Sequence, residues 1–171
     1  MTVLAVYESV YGNTHRIAET IGRGLTEAGV PAEVRSTAEA QRQPPGPGDV
    51  LVVGAPTHGH GLSREDFREQ AVRDASRHHL DVDGSATGPG VREWLAALDA
   101  EGGRATAFDT RIKGPAMLTG RASQKIARAL EEPRYELVAA PESFLVTTGN
   151  DLVPGEEERA RRWGRDLAAV L

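Results

Sequence analysis

Two apolar runs dominate the hydrophobic pattern. Val3-Leu4-Ala5-Val6-Tyr7 and Val50-Leu51-Val52-Val53-Gly54 carry no polar alternate, the pattern of strands covered on both faces in a parallel sheet. Between them Ile17, Ala18, Ile21 and Leu25 recur at helical spacing, with Thr14 as the expected cap and Gly29 as the stop. Residues 31–36 alternate Ala32, Val34 and Ser36 with Glu33 and Arg35, which predicts a weaker edge strand. The Pro- and Gly-rich connector over 43–48 leaves room for only one helical turn before it.

Further along the periodicity blurs. Phe67, Ala71, Val72 and Ala75 suggest a short helix, whereas residues 81–90 read as loop. Val91, Trp94, Leu95 and Leu98 then predict an amphipathic helix ending at Gly102-Gly103, and Ala105-Thr106-Ala107-Phe108 a fourth strand. Ala122, Ile126, Ala129 and Leu130 give another helix, stopped before Pro133. A fifth strand lies within residues 135–148, with a break expected at Pro141. After Pro154, acids at 156–158, arginines at 159, 161, 162 and 165, and a stripe of Ala160, Trp163, Leu167 and Val170 predict a docked last helix. Strands alternating with helices predict an α/β fold, a parallel sheet wound on both faces. Ligands in such sheets sit beyond the carboxyl ends of the strands, where the winding reverses.

Composition narrows the chemistry. The chain has 171 residues and a formal charge of −5, a prior for one domain over 1–171 and against a nucleic-acid partner. It has no cysteine, which excludes disulfides, thiolate metal ligation and thiol redox work. Redox chemistry would need a borrowed cofactor. The start runs directly into a strand and no long apolar stretch follows, so no membrane association and a cytoplasmic location are expected. There is no Gly-x-Ser-x-Gly elbow, which argues against a hydrolase of similar topology.

The loop after the first strand carries the clearest chemistry. Ser9, Val10, Tyr11, Gly12, Asn13 and Thr14 stand between a buried strand and a helix start, where unsatisfied N–H groups and the helix dipole favour an anion. Short polar side chains add donors, and no cation precedes Arg16. A plain helix N-cap would use the same residue types. The loop lacks both the Gly-x-x-x-x-Gly-Lys pattern and the three-glycine dinucleotide pattern.

Strand, then Ser-x-Tyr-Gly-Asn-Thr, then helix resembles the FMN phosphate loop of the flavodoxin-like family. The stretch Gly54-Ala55-Pro56-Thr57-His58-Gly59-His60-Gly61 is similar to that family's first flavin-ring loop, and Phe108-Asp109-Thr110-Arg111 to its second. Pro141 to Val146, Pro154-Gly155-Glu156 and the Arg-rich helix resemble the family's end. The resemblance implies a flavodoxin-like three-layer sandwich with a five-stranded parallel sheet in the order 2-1-3-4-5. It implies FMN as cofactor, and electron transfer or a small flavin-dependent reductase activity with a redox partner protein or small-molecule acceptor.

The alternative is a flavodoxin-like binding or regulatory module that has lost tight FMN binding. Its motive is the ring loops, which offer only His58, His60 and Phe108 where typical flavodoxins sandwich the ring between Trp or Tyr. Many flavodoxins also carry Thr where Tyr11 stands, although an aromatic there is familiar from flavodoxin-like quinone reductases and flavodiiron domains. The segment His58-Gly59-His60 serves equally as a polar loop or a ring contact. Arg111, with Lys113 beyond it, is either a ligand contact or a surface charge. His78 and His79 are expected in solvent.

Overall fold

The computed structural model describes residues 1–98, 102–132 and 134–171. Strand β1 (Val3–Tyr7) is buried along its whole length and pairs in parallel with β2 (Ala32–Ser36) and β3 (Val50–Pro56). Strand β4 (Gly103–Ile112) lies in parallel beyond β3. The far edge is shared by two short strands. β5 (Tyr135–Leu137) pairs with Gly103 to Ala105, and β6 (Glu142–Val146) pairs with Phe108 to Ile112. The order is 2-1-3-4-5 with β6 continuing the fifth position, so the expected fifth strand becomes two. Pro141 stands just before β6, where a residue without an N–H cannot donate to a ladder.

Alternation along the strands sorts the core into two layers. Leu4, Val6, Leu51, Val53, Ala105 and Ala107 face α4 (Val91–Ala96) and α6 (Ala122–Glu131) through Val91, Trp94, Ile126 and Leu130. Val3, Ala5, Tyr7, Val50, Val52 and Phe108 face α1 (Asn13–Glu27) and α7 (Glu156–Ala168) through Ile17, Ile21, Leu25, Ala160 and Leu167. Each fully buried Leu or Ile contributes about 1.5–3 kcal/mol, so continuous apolar strands require helices on both faces.

The shorter elements surround the carboxyl ends of the strands. Helix α2 (Thr37–Arg42) is one and a half turns long and starts with a capping box between Ser36 and Glu39. Helix α3 (Glu65–Ala75) is the short helix read from Phe67, Ala71 and Ala75. A four-residue helix, α5 (Ala116–Thr119), interrupts the loop after β4 and has no counterpart in the sequence pattern. The expected run of α4 through residues 99–101 and the expected stop at Pro133 lie outside the described residues.

The cap of α1 differs from expectation. Gly12, with φ 92°, is the N-cap and no side chain caps the helix; Thr14 lies inside the first turn. Glycine tolerates that left-handed backbone without a Cβ penalty, which leaves the side chains after it free for other partners.

Candidate functional site

The loop at residues 8–12 turns the chain from β1 into α1. The Ser9 hydroxyl accepts the Gly12 N–H at 3.0 Å, and the Asp83 N–H reaches the Val10 carbonyl at 2.8 Å. Among the described residues the N–H groups of Val10, Tyr11, Asn13 and Thr14 have no acceptor. Four free amides at the positive end of a 15-residue helix form an anion-binding arrangement. The Thr14 and Thr110 hydroxyls, both buried, meet at 2.7 Å. Asn13 is directed elsewhere: its amide nitrogen donates to the Asn150 carbonyl at 2.7 Å and to the Asn150 side-chain oxygen at 3.2 Å, tying α1 to the loop before α7.

Beside this loop lies a cavity of about 290 Å³, lined by Ser9, Val10, Tyr11, Asn13, Thr14, Pro56, Thr57, His58, Thr110 and Arg111 of the expected set. The remaining expected residues lie off its wall. Gly12 makes the turn, and Gly59, His60 and Gly61 form a tight hairpin closed by two hydrogen bonds between His58 and Gly61 at 2.8 and 2.9 Å. Gly59 and His60 both have positive φ, the signature of a type I′ turn.

Phe108 is a correction to the expected ring contact. Its side chain is fully buried and occupies the space that a Cβ at Gly54 would need, packing edge-on to Phe144 with ring centroids 6.2 Å apart. Strand alternation points it to the α1 and α7 layer, where it joins the core and does not line the cavity. Asp109 points to the other layer and is also fully buried; its Oδ2 accepts the Ser123 N–H at 2.8 Å. Burial holds its carboxyl above the usual carboxylate range, against the bond from the Ser123 N–H.

Several cavity residues carry no signal in local sequence pattern. Phe67 from α3, Leu80, Ile112 from β4, Val146 at the end of β6, and Thr147, Thr148 and Asn150 after it complete the wall. Phe67 and His58 stack obliquely with ring centroids 4.6 Å apart, so an aromatic supplied from α3 flanks the 54–61 loop. Its position in an apolar helical stripe reads as core, which is why sequence alone misses it. The Tyr11 hydroxyl donates to the Ala71 carbonyl at 3.2 Å, which fixes α3 against the first loop.

The electrostatics of the wall are uneven. Burial, helped by the nearby Arg68 cation, lowers the His58 pKa to about 4, so its ring is neutral at pH 7. Its Nε2 is buried without a partner among the described residues, as is the Arg111 Nε. The Arg111 Nη1 donates to the Gly114 carbonyl at 2.8 Å and to the Thr119 hydroxyl at 3.0 Å. Among the described residues Arg111 makes no ion pair, with Asp109 or any other acid.

Beneath the first ring loop a polar cluster holds the scaffold. The Glu8 carboxylate accepts from the Ser63 hydroxyl and, at 2.8 Å, from the Val91 N–H; Arg68 donates to Ser63 and Glu93, each at 3.0 Å. Burial nevertheless pushes the Glu8 carboxyl up. On the other side His15 meets Asp83 at 2.8 Å and stacks on Tyr7 with centroids 4.2 Å apart, clamping the 81–88 loop onto α1. His78 and His79 are exposed. Among the described residues no group of three or more His, Cys, Asp or Glu could hold a metal, and no helix is long and apolar enough to cross a membrane.

A parallel sheet in the order 2-1-3-4-5, a helix N-terminus with free amides at the β1/β3 switch point, and a cavity between the β3 and β4 loops identify the architecture. Residues 4–81 match the family model described as a flavodoxin domain. The fold is flavodoxin-like. Across 100% of its length and 100% of the other chain it superposes on the crystal structure of oxidised flavodoxin 2 from Bacillus cereus, with 16% identity and a TM-score of 0.65. A flavodoxin from the domain Archaea matches at 19% identity and a TM-score of 0.60, over 99% of this chain and 97% of that one. The two-electron reduced flavodoxin of Megasphaera elsdenii matches at 17% identity and a TM-score of 0.59, over 98% of this chain and 99% of that one. No curated protein sequence matches significantly. At these identities the structural likeness is one of fold.

Proposed function

We propose that this flavodoxin-like chain binds FMN and works as a redox protein, exchanging electrons with a partner protein or a small-molecule acceptor. The observation that carries the reading is the set of four unbonded amides, at Val10, Tyr11, Asn13 and Thr14, bordering a cavity with a largely apolar wall. A phosphate monoester joined to a flat heteroaromatic group has the matching chemistry: a dianion for the amides and an apolar plane for the wall. The matched family model covers the phosphate loop and the first ring loop together. Neighbours named as oxidised and as two-electron reduced flavodoxins support the redox reading.

When bound, FMN supplies the electron-accepting and electron-donating chemistry. The chain's own residues do the rest. The amides of Val10, Tyr11, Asn13 and Thr14, with the Thr14–Thr110 hydroxyl pair, would hold the phosphate without a cation. Phe67, His58 and Tyr11 would supply aromatic contacts beside the ring, and Pro56, Ile112 and Val146 would exclude water from it. The orphaned Nε2 of neutral His58 and the orphaned Nε of Arg111 are polar atoms with hydrogen-bonding capacity left for ring heteroatoms.

The decisive experiment is a visible absorption and fluorescence titration of the purified chain with FMN and with riboflavin. Quenched, shifted flavin bands with FMN preferred at least about tenfold support the reading, since only FMN presents the phosphate to the amides. Absence of binding, or equal affinity for the two, overturns it.

A further inference from the structure

Charge is distributed unevenly in this acidic chain, and the unevenness falls beside the cavity. The net charge is −5, yet residues 102–130 contain Arg104, Arg111, Lys113, Arg121, Lys125 and Arg128 against a single acid, the buried Asp109. Lys113, Arg121, Lys125 and Arg128 are exposed, and among the described residues none of them has an ion-pair partner. The α1 and α7 surface behaves differently: Arg16, Arg161 and Arg165 there are matched by Glu157 and Glu27.

The same loop carries the most exposed apolar side chains near the cavity. Met117 is 91% exposed, Leu118 69% and Ile112 50%, and Ile112 also lines the cavity. This tip is held in place. The Arg111 guanidinium donates to Gly114 and Thr119, the Lys113 N–H donates to the Val146 carbonyl at 2.8 Å, and His60 bridges Gly120. Lys125 lies against Gly61, so the cations flank the hairpin of the first ring loop as well. On α3 and its flanks the charges balance instead, Glu65, Asp66, Glu69 and Asp74 standing with Arg64, Arg68, Arg73 and Arg77, with Glu69 paired to Arg73 and Asp74 to Arg77. An apolar knob fixed in water and ringed by unmatched cations is the composition of a protein-docking surface, with hydrophobic contact at its centre and charge at its rim.

We infer that the loop over residues 112–121 and the start of α6 form the docking surface for an acidic redox protein, which sets its anionic patch on Lys113, Arg121 and Lys125 and its apolar centre on Met117 and Leu118. The inference deepens the flavin reading, because this surface adjoins the cavity where electrons would enter or leave.

The test is an amide NMR titration of the isotope-labelled chain with a strongly acidic [2Fe–2S] ferredoxin as probe and a strongly basic cytochrome c as counter-probe. Ferredoxin is expected to shift amides of residues 112–125, with affinity falling at least about tenfold between about 50 and about 200 mM salt. The triple variant K113E/R121E/K125E should lose this binding. M117S/L118S should weaken it about tenfold while keeping its salt dependence, and unchanged spectra elsewhere report that both variants fold. Shifts centred on another surface, no binding, unchanged affinity in the variants, or cytochrome c binding the same loop would each overturn the proposal. Flavin absorption recorded on the same sample separates the two readings: amide shifts without FMN binding leave the docking surface standing and remove the cofactor, and FMN binding without amide shifts does the reverse.

Discussion

The hydroxyls of Thr14 and Thr110 lie 2.7 Å apart, joining the first turn of α1 to the end of β4 across 96 positions of chain. Whichever donates, the other keeps its own proton for a third partner. The pair therefore offers one unspent donor beside the free amides of the loop.

Removing that donor should be felt by a phosphate and not by a ring. Thr14→Ala is expected to weaken FMN about tenfold and riboflavin less than about twofold. In a double-mutant cycle with Thr110→Val the two losses should fall short of additive by about 1 kcal/mol. Fluorescence titration of both ligands checks it; equal losses for FMN and riboflavin would contradict the phosphate assignment.

Phe67 gives the opposite pattern. It lies on the cavity wall against His58, and truncation removes contact with a ring and leaves the loop untouched. Phe67→Ala should weaken FMN and riboflavin alike, by about 1–1.5 kcal/mol. Because Phe67 is 45% exposed, chemical denaturation should show little loss of stability.

Arg111 stands at the cavity with its charge unpaired among the described residues. A fixed cation favours a reduced flavin that carries negative charge. Arg111→Gln should therefore lower the two-electron potential of bound FMN by about 20–40 mV, on the order of 1–2 kcal/mol. Potentiometric titration reads this directly; an unchanged potential would mean that the charge is already neutralised by solvent and by the carbonyls it binds.

His58 predicts a pH dependence with a defined sign. Its pKa falls from 6.5 to about 4 on folding, so the unfolded chain takes up a proton at a pH where the folded one does not. The associated stability is complete above about pH 6.5, declines as pH falls, and is gone below about pH 4. The full effect is on the order of 3 kcal/mol. His58→Gln should flatten the difference in unfolding free energy over that window, measured by urea denaturation at several pH values; parallel profiles for the two proteins would show that His58 protonates equally easily in both states.

How much of this could be read from the chain depends on the range of the interaction. Continuous apolar runs at β1 and β3, helical stripes at α1 and α7, and the short polar loop at 8–14 are local signals, and each predicted its element because burial on two faces or one writes itself into adjacent positions. Pro141 predicted the break between β5 and β6 for the same reason, as the absence of an N–H is a property of one residue. Tertiary structure alone decided which side chains face the cavity. Strand alternation within β4 puts Phe108 and Thr110 on one face, Phe108 deep in the core and Thr110 nearer the strand's end against Thr14, and a shift of one position would turn both to the other layer. Asn13 is claimed by Asn150, 137 positions along the chain, and Phe67 meets His58 across the turn between β3 and α3, contacts that no local periodicity specifies. A sequence fixes which residues can donate, stack or carry charge; the contacts that commit them depend on distances in space that no local pattern encodes.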